Sequence, residues 1–137
     1  MKNLSAPIVV TLCGSTRFKA AFEKAMKDET LAGQIVLTVG MFGHQEGLDM
    51  TGPVKQMLDA LHLRKIDLSS EILVLDLKIP VCNGCGKPAK LFAELPGKTE
   101  CCGVTWSFKN YIGESTAREI AYALAEQKRV RYPSQES

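Results

Sequence analysis

Apolar positions along the chain follow two patterns, short β-branched runs and longer stretches with helical spacing. Compact apolar runs at residues 8–13, 34–39 and 71–76 predict buried strands, and a shorter run at 130–132 predicts a last strand. Between these runs, side chains recur every three or four residues, as on one face of an amphipathic helix. The residues that mark these helical faces are Phe18, Phe22, Ala25 and Met26; Leu58, Leu61, Lys65 and Leu68; and Ala117, Ile120, Ala121 and Leu124.

This alternation of strands and helices predicts an α/β fold, with a parallel sheet covered by helices on both faces. The periodicity stops at residues 80–109, which hold prolines, glycines and four clustered cysteines. We therefore expect residues 1–137 to form a single α/β domain that contains a small insert at residues 80–109. In such sheets, ligands bind at the carboxyl ends of the strands, where the strand order reverses.

Charge and hydropathy exclude several classes of protein. The 137 residues include 17 basic and 15 acidic side chains, for a net charge of +2, which argues against a nucleic-acid-binding surface. No apolar run approaches the roughly 18 residues of a membrane span. The first residues are polar and do not resemble a signal peptide. A cytoplasmic protein without membrane contact is the resulting expectation.

The first predicted strand ends in a glycine followed by hydroxyl residues, in the run Cys13-Gly14-Ser15-Thr16-Arg17. Free backbone N–H groups and the dipole of the next helix favour an anion at such a position. Arg17 could bind a phosphate through two parallel hydrogen bonds. The run is neither a Walker loop nor a GxGxxG motif. The alternative is an ordinary strand-to-helix turn in which Ser15 caps the helix.

The last predicted helix carries a candidate catalytic carboxylate. Gly113 would permit an unusual backbone angle before the helix, and Glu119 is expected in the first turn, facing the same crevice as the first loop. A carboxylate there could attack or stabilise a sugar carbon that carries positive charge, as in glycosidic cleavage. The alternative is a capping box, in which Thr116 caps the helix and Glu119 folds back onto the backbone.

Three segments resemble those of one enzyme superfamily. Residues 13–17 resemble the phosphate-binding loop of the 2′-deoxynucleoside 5′-phosphate N-hydrolases, and residues 113–123 resemble the segment with the nucleophilic glutamate of nucleoside 2-deoxyribosyltransferases. The strand at 71–76 resembles one that ends in an active-site aspartate. The chain is also similar to phage and actinobacterial deoxyribosyltransferase-like proteins. This resemblance implies a flavodoxin-like three-layer sandwich, in a homodimer whose subunits complete each other's sites.

The resemblance also implies an activity, the cleavage of the N-glycosidic bond of a deoxynucleoside 5′-monophosphate or nucleoside by hydrolysis or deoxyribosyl transfer. Glu119 would be the nucleophile, and Asp76 would position the sugar or protonate the departing base. The residues that would bind the substrate are Gly14, Ser15, Thr16, Arg17, Gly113 and Ser115. Arg17 favours a 5′-phosphate, and hence hydrolysis. The alternative is a non-catalytic nucleotide-binding module, a sensor or sponge that uses the same crevice.

Four cysteines of the insert fall close together, at Cys82, Cys85, Cys101 and Cys102. In the absence of a secretion signal this cluster predicts zinc rather than disulfides. Four thiolate ligands leave no position for water, so the zinc would be structural. Catalytic zinc, free thiols and a redox pair are the alternatives. No organic cofactor is expected. A zinc-ribbon interaction module, with the α/β part as scaffold, is a third hypothesis for function.

Two parts of the sequence depart from the resemblance. The loop at residues 41–52 matches no motif of the superfamily, and its His44 and Glu46 could either touch the base or lie in solvent. His62, in a predicted helix, is interpreted as a partly buried packing histidine rather than a catalyst.

Overall fold

A computed structural model describes residues 6–16, 18–40, 52–76, 78–83 and 106–133. The elements in chain order are β1 (Val9–Cys13), α1 (Lys19–Leu31), β2 (Ile35–Leu37), α2 (Gly52–Leu68), β3 (Glu71–Val74), β4 (Lys78–Cys82), β5 (Trp106–Asn110), α3 (Glu114–Ala125) and β6 (Arg129–Arg131). They fall into two compact units, an α/β unit (Met1–Leu75 with Gly113–Ser137) and a hairpin unit (Asp76–Ile112). Among the described residues, no helix is long and apolar enough to cross a membrane.

The α/β unit contains a four-stranded parallel sheet with the strand order β2-β1-β3-β6. Thr11 in β1 lies between Leu37 of β2 and Ile72 of β3, and Ile72 lies beside Val130 of β6. The chain first moves outward from β1 to β2, then crosses back to β3 and continues to β6. Right-handed crossovers of this kind place helices on both faces. The predicted α/β fold with a parallel sheet is therefore confirmed, and the arrangement is consistent with a flavodoxin-like one.

The main hydrophobic core lies where α2 and α3 pack on β1 and β3. Its fully buried members are Cys13, Ile66, Ile72, Val74 and Ala123. Partly buried side chains surround them, namely Leu63, Ile120, Tyr122, Val130 and Tyr132. These residues come from both halves of the sequence, so the core joins the segments on either side of the hairpin unit.

The buried face of α2 is not the one that its leucines mark. Leu61 is 50% exposed and Leu68 is 72% exposed, whereas the buried residues of this helix are His62 and Ile66. The spacing predicted the helix but not its orientation, because a polar side chain at the buried position finds a partner inside the unit. The His62 ring reaches the carbonyl oxygen of Leu12 in β1.

An arginine with a largely buried side chain explains how a glutamate is accommodated in the central strand β3. Arg131 of β6 donates from Nε to Glu71 Oε2 and from Nη2 to Glu29 Oε1, each at 2.6 Å. The three side chains are almost fully buried. Burial of a charge is costly unless it is paired and hydrogen-bonded, and this triad supplies both forms of compensation.

The hairpin unit contains β4 and β5, which pair antiparallel from Lys78 opposite Asn110 to Cys82 opposite Trp106. These strands begin and end the segment in which the sequence predicts an insert. The Cys82 side chain and the whole of Cys85, Cys101 and Cys102 lie outside the described residues. The zinc-ribbon-like insert therefore stays a prediction.

Candidate functional site

The loop after β1 begins with a close backbone approach at Gly14. This residue has a φ of +157°, and a Cβ placed on it would lie 3.2 Å from Leu75 Cβ and 3.3 Å from the Leu75 carbonyl oxygen. The Phe18 N–H then donates to the Ser15 carbonyl at 3.0 Å. Phe18 is the N-cap of α1, and no side chain caps that helix. The interpretation of Ser15 as the helix cap is wrong, because this turn separates it from the helix.

Replacement of Gly14 by alanine is expected to lower the free energy of unfolding by about 1–3 kcal/mol, because the added methyl group must displace Leu75 or distort the backbone. Chemical denaturation of the Gly14→Ala variant measures this loss. Gly40→Ala is the matched control, since a Cβ at Gly40 meets nothing within 4 Å. Equal destabilisation by the two substitutions would contradict the role given to Gly14.

The other predicted phosphate-binding residues are described only in part. Ser15 and Thr16 are half-buried in the loop after β1. Arg17 lies outside the described residues, as do His44 and Glu46 of the second loop. Phosphate binding by these residues stays a prediction.

The helix α3 begins at Glu114 and places Glu119 in its second turn. Its N-cap Gly113 has φ −76° and ψ 175°, and no side chain caps the helix. This is ordinary extended backbone, so the expected unusual angle at Gly113 is absent.

The capping-box alternative is also wrong, because Thr116 already lies inside the helix. The expectation of Glu119 in the first turn fails for the same reason. Thr116 and Glu119 are both buried residues of α3, together with Ala123.

Glu119 meets one side chain from β1 and one from α2. His62 Nε2 lies 3.6 Å from Cys13 Sγ and 4.0 Å from Glu119 Oε1. The exposed fractions are 0% for Cys13, 6% for His62 and 8% for Glu119. We call these three residues the Glu119 centre. It lies at the carboxyl end of β1, directly before the loop that begins at Gly14.

His62 is a neutral member of this centre. Its Nε2 lies 3.0 Å from the Leu12 carbonyl oxygen, which can only accept, so Nε2 carries the proton. Burial, together with the nearby Lys65 cation, lowers the pKa of His62 to about 4, although the Leu12 carbonyl and the Asp59 carboxylate act to raise this pKa. At neutral pH the ring is therefore uncharged, and its contact with Glu119 is not an ion pair.

Burial raises the pKa of Glu119 to about 7. This value is the outcome of several causes, of which burial is the largest. A hydrogen bond with Cys13 acts to lower the pKa, and the nearby Asp59 carboxylate acts to raise it. The cations Lys55 and Arg118 also lower it. Burial, with the Glu119 charge, raises the pKa of Cys13, which is therefore a thiol that donates to the Glu119 carboxylate. A carboxyl group with a pKa near neutrality can act as an acid or as a base and nucleophile.

A polar network beside the centre joins the N-terminal halves of α2 and α3. Lys55 Nζ donates to Asp59 Oδ2 at 2.7 Å and also to Ser115 Oγ. Ser115 Oγ in turn donates to the same Asp59 oxygen at 3.3 Å, and Arg118 Nη2 donates to it at 3.2 Å. Two cations and a hydroxyl group thus lie at the N-terminus of α3, where the helix dipole also favours an anion.

The polar side of α2 was missed from the sequence. Lys55, Asp59 and His62 recur at the helical interval of one face, so a pattern of polar positions was available. The spacing of apolar residues instead predicted a buried helix face around Leu61. Of the predicted site residues, Ser115 and Glu119 lie at the α2–α3 contact.

Asp76, the second predicted catalytic residue, belongs to the hairpin unit. It is 8% exposed, and its Oδ2 accepts a hydrogen bond from Asn110 Nδ2 at 3.3 Å. This contact links the end of the segment after β3 to the last residue of β5. The predicted catalytic role of Asp76 stays a prediction.

The Glu119 centre could also hold a metal ion. The donor atoms of Cys13, His62 and Glu119 all lie within 4.8 Å of one another. Thiolate, imidazole and carboxylate are all ligands that zinc accepts. This group is distinct from the four clustered cysteines for which the sequence predicts zinc.

Comparison of the chain with protein-family models, with curated proteins and with solved structures gave no significant match. Any function must therefore be argued from the residues and their geometry.

Proposed function

We propose that the chain cleaves the N-glycosidic bond of a deoxynucleoside 5′-monophosphate or nucleoside, with Glu119 as the nucleophile, and that it belongs to the nucleoside 2-deoxyribosyltransferase superfamily. One observation carries this proposal. A buried carboxyl group with a pKa of about 7 lies at the carboxyl end of a doubly wound parallel sheet. This is where such folds bind ligands. The resemblance of residues 13–17 and 113–123 to the superfamily supports the same reaction.

In the proposed reaction, the Glu119 carboxylate attacks C1′ of the sugar. The bond between C1′ and the base nitrogen breaks, and its electron pair leaves with the base, which takes a proton from an acid. Asp76 is the proposed acid. Water then attacks C1′ and releases Glu119 in hydrolysis, whereas a second base does so in transfer. The Cys13 thiol and the His62 ring hold the attacking carboxylate in one place.

The polar network supplies groups that suit a 5′-phosphate. Lys55 and Arg118 carry positive charge, and Ser115 lies in the first turn of α3, so backbone N–H groups and the helix dipole add to the attraction. The proposed phosphate site combines these residues with Gly113 and the loop of residues 14–17. In this proposal an incoming phosphate competes with the Asp59 carboxylate for the two cations.

Base release is expected to increase as the pH rises through about 7. The pKa of Glu119 is raised to about 7 by burial, so the attacking carboxylate form dominates only above that pH. The dependence of kcat/KM on pH between about 5.5 and 8.5 measures this limb. A Glu126→Gln variant, altered at the exposed C-cap residue of the same helix, should give the wild-type profile. A rate that is flat over this range would contradict an essential Glu119 carboxylate.

Chromatography of reactions with a panel of 5′-deoxynucleotides, ribonucleotides and nucleosides tests the proposed activity. A free base from at least one deoxynucleotide or deoxynucleoside is the expected result. No free base from any member of the panel would overturn the proposal that the chain is a glycosidase or transferase.

A nucleotide-binding module without turnover is the second candidate function. The burial of Glu119, which is only 8% exposed, favours it, because a nucleophile must reach the sugar. This candidate predicts that a nucleotide binds to the wild-type chain and is recovered intact. A homodimer, a cytoplasmic location and structural zinc at the four clustered cysteines remain further proposals.

A further inference from the structure

The donor atoms of the Glu119 centre have a spacing close to that of a tetrahedral metal site. Bonds of 2.0–2.3 Å to zinc place neighbouring ligand atoms roughly 3.3–3.8 Å apart. Cys13 Sγ and His62 Nε2 are 3.6 Å apart, and His62 Nε2 and Glu119 Oε1 are 4.0 Å apart. The first separation already fits such a site, the second must shorten by roughly 0.7 Å, and all three donor atoms lie within 4.8 Å of one another.

The charges of the centre also suit a divalent cation. Without a cation, burial raises the pKa of both Cys13 and Glu119, and the Glu119 charge also raises that of Cys13, so the buried pair tends to hold its protons. With a cation, a thiolate and a carboxylate would together balance two positive charges inside the protein. The His62 ring is already neutral, as a ligand must be. The binding of one cation would thus release the protons of the Cys13 thiol and the Glu119 carboxyl group.

One hydrogen bond opposes this binding. His62 Nε2 carries the proton that the Leu12 carbonyl accepts at 3.0 Å. To bind a cation, Nε2 must lose this proton, Nδ1 must carry one instead, and the ring must turn so that the freed lone pair of Nε2 points at the ion rather than at the Leu12 carbonyl. The Leu12 carbonyl then loses its donor. The cost of one hydrogen bond between neutral groups is small beside the free energy of binding zinc to thiolate, imidazole and carboxylate ligands.

We infer that Cys13, His62 and Glu119 bind one thiophilic divalent cation of the zinc(II) class, and that the bound cation prevents Glu119 from reacting. A carboxylate that donates its electron pair to a metal is no longer free to attack a sugar carbon. The cation is thus an inhibitor of the centre. This second half of the inference rests on the proposed function, whereas the binding of the cation does not.

Cobalt(II) titration tests the binding directly, since a thiolate bound to cobalt absorbs in the near ultraviolet. The four clustered cysteines are the same in every variant, so differences between variants report the Glu119 centre alone. Wild type and the Glu126→Gln control should bind one more equivalent than Cys13→Ala. The variants Glu119→Gln and His62→Gln should bind that equivalent about 100-fold more weakly or worse. Zinc(II) should displace the cobalt.

Circular dichroism of each variant shows whether it folds, and Glu119→Gln, which preserves the shape of the side chain, serves as the test if Cys13→Ala does not fold. Equal cobalt binding by wild type and a folded Glu119→Gln variant would overturn the metal site. Base release that continues undiminished when this site is filled would overturn the inhibitory role. A wild-type chain that binds the additional cobalt equivalent, relative to Cys13→Ala, but never releases a base would refute the proposed function and support the metal site.

Discussion

At pH 8, the Glu119→Gln variant is expected to release base at least about 1,000-fold more slowly than the wild-type chain. An amide has nearly the shape of the carboxyl group but does not attack C1′, so the loss measures the nucleophile rather than the packing. The nucleotide should still bind, because the polar network around Lys55 and Arg118 is unchanged. Initial rates of base release, together with calorimetric binding, separate these two effects.

Glu126→Gln is the matched control for this experiment. Glu126 is the exposed C-cap residue of the same helix and lies outside both the Glu119 centre and the polar network. It should retain the wild-type rate. A Glu119→Gln rate within about tenfold of wild type would show that another group attacks the sugar.

The Glu119→Gln substitution is also expected to raise the free energy of unfolding at pH 8 by about 3 kcal/mol relative to wild type. Burial raises the pKa of Glu119 from 4.5 to about 7 in the folded chain, so folding favours the protonated form. The stability that this side chain contributes is present below pH 4.5 and is lost as the pH rises through about 7. Glutamine remains neutral as the pH rises, so the variant does not lose this stability.

Urea unfolding at about pH 4.5 and at pH 8 measures this difference. His62 acts in the opposite direction, because burial lowers its pKa to about 4 and its contribution is lost as the pH falls towards that value. In wild type, the effects of Glu119 and His62 on the free energy of unfolding oppose each other between the pKa of His62 and that of Glu119. In Glu119→Gln only the His62 effect remains, so stability should rise with pH. Identical pH dependence in the two proteins would contradict the raised pKa of Glu119.

The fold could be predicted from local patterns because buried parallel strands leave continuous apolar runs. The run at residues 71–76 predicted the third strand, which the structure places at Glu71–Val74. The alternation of strands and helices along the chain followed from the same patterns, and this alternation predicted a parallel sheet. Strand ends were less well predicted, because Leu75 remains buried after β3 ends. Apolar character therefore continues beyond the sheet hydrogen bonds.

The candidate site was only partly predictable. Glu119 was identified through a local motif, and the structure adds two partners from distant parts of the chain. Neither Cys13 nor His62 has a local signal that points to Glu119, because contacts between β1, α2 and α3 arise only on folding. His62 was interpreted as a packing residue, and it is indeed buried. Its position between a thiol and a carboxyl group could not be read from apolar spacing.

The most direct test of Glu119 as nucleophile is mass spectrometry of wild-type protein quenched with acid during its first turnover, on the substrate that the panel identifies. We expect a sugar adduct on the peptide that contains Glu119, and no adduct in the Glu119→Gln variant. An adduct on a peptide without Glu119, or base release by Glu119→Gln at the wild-type rate, would contradict the account.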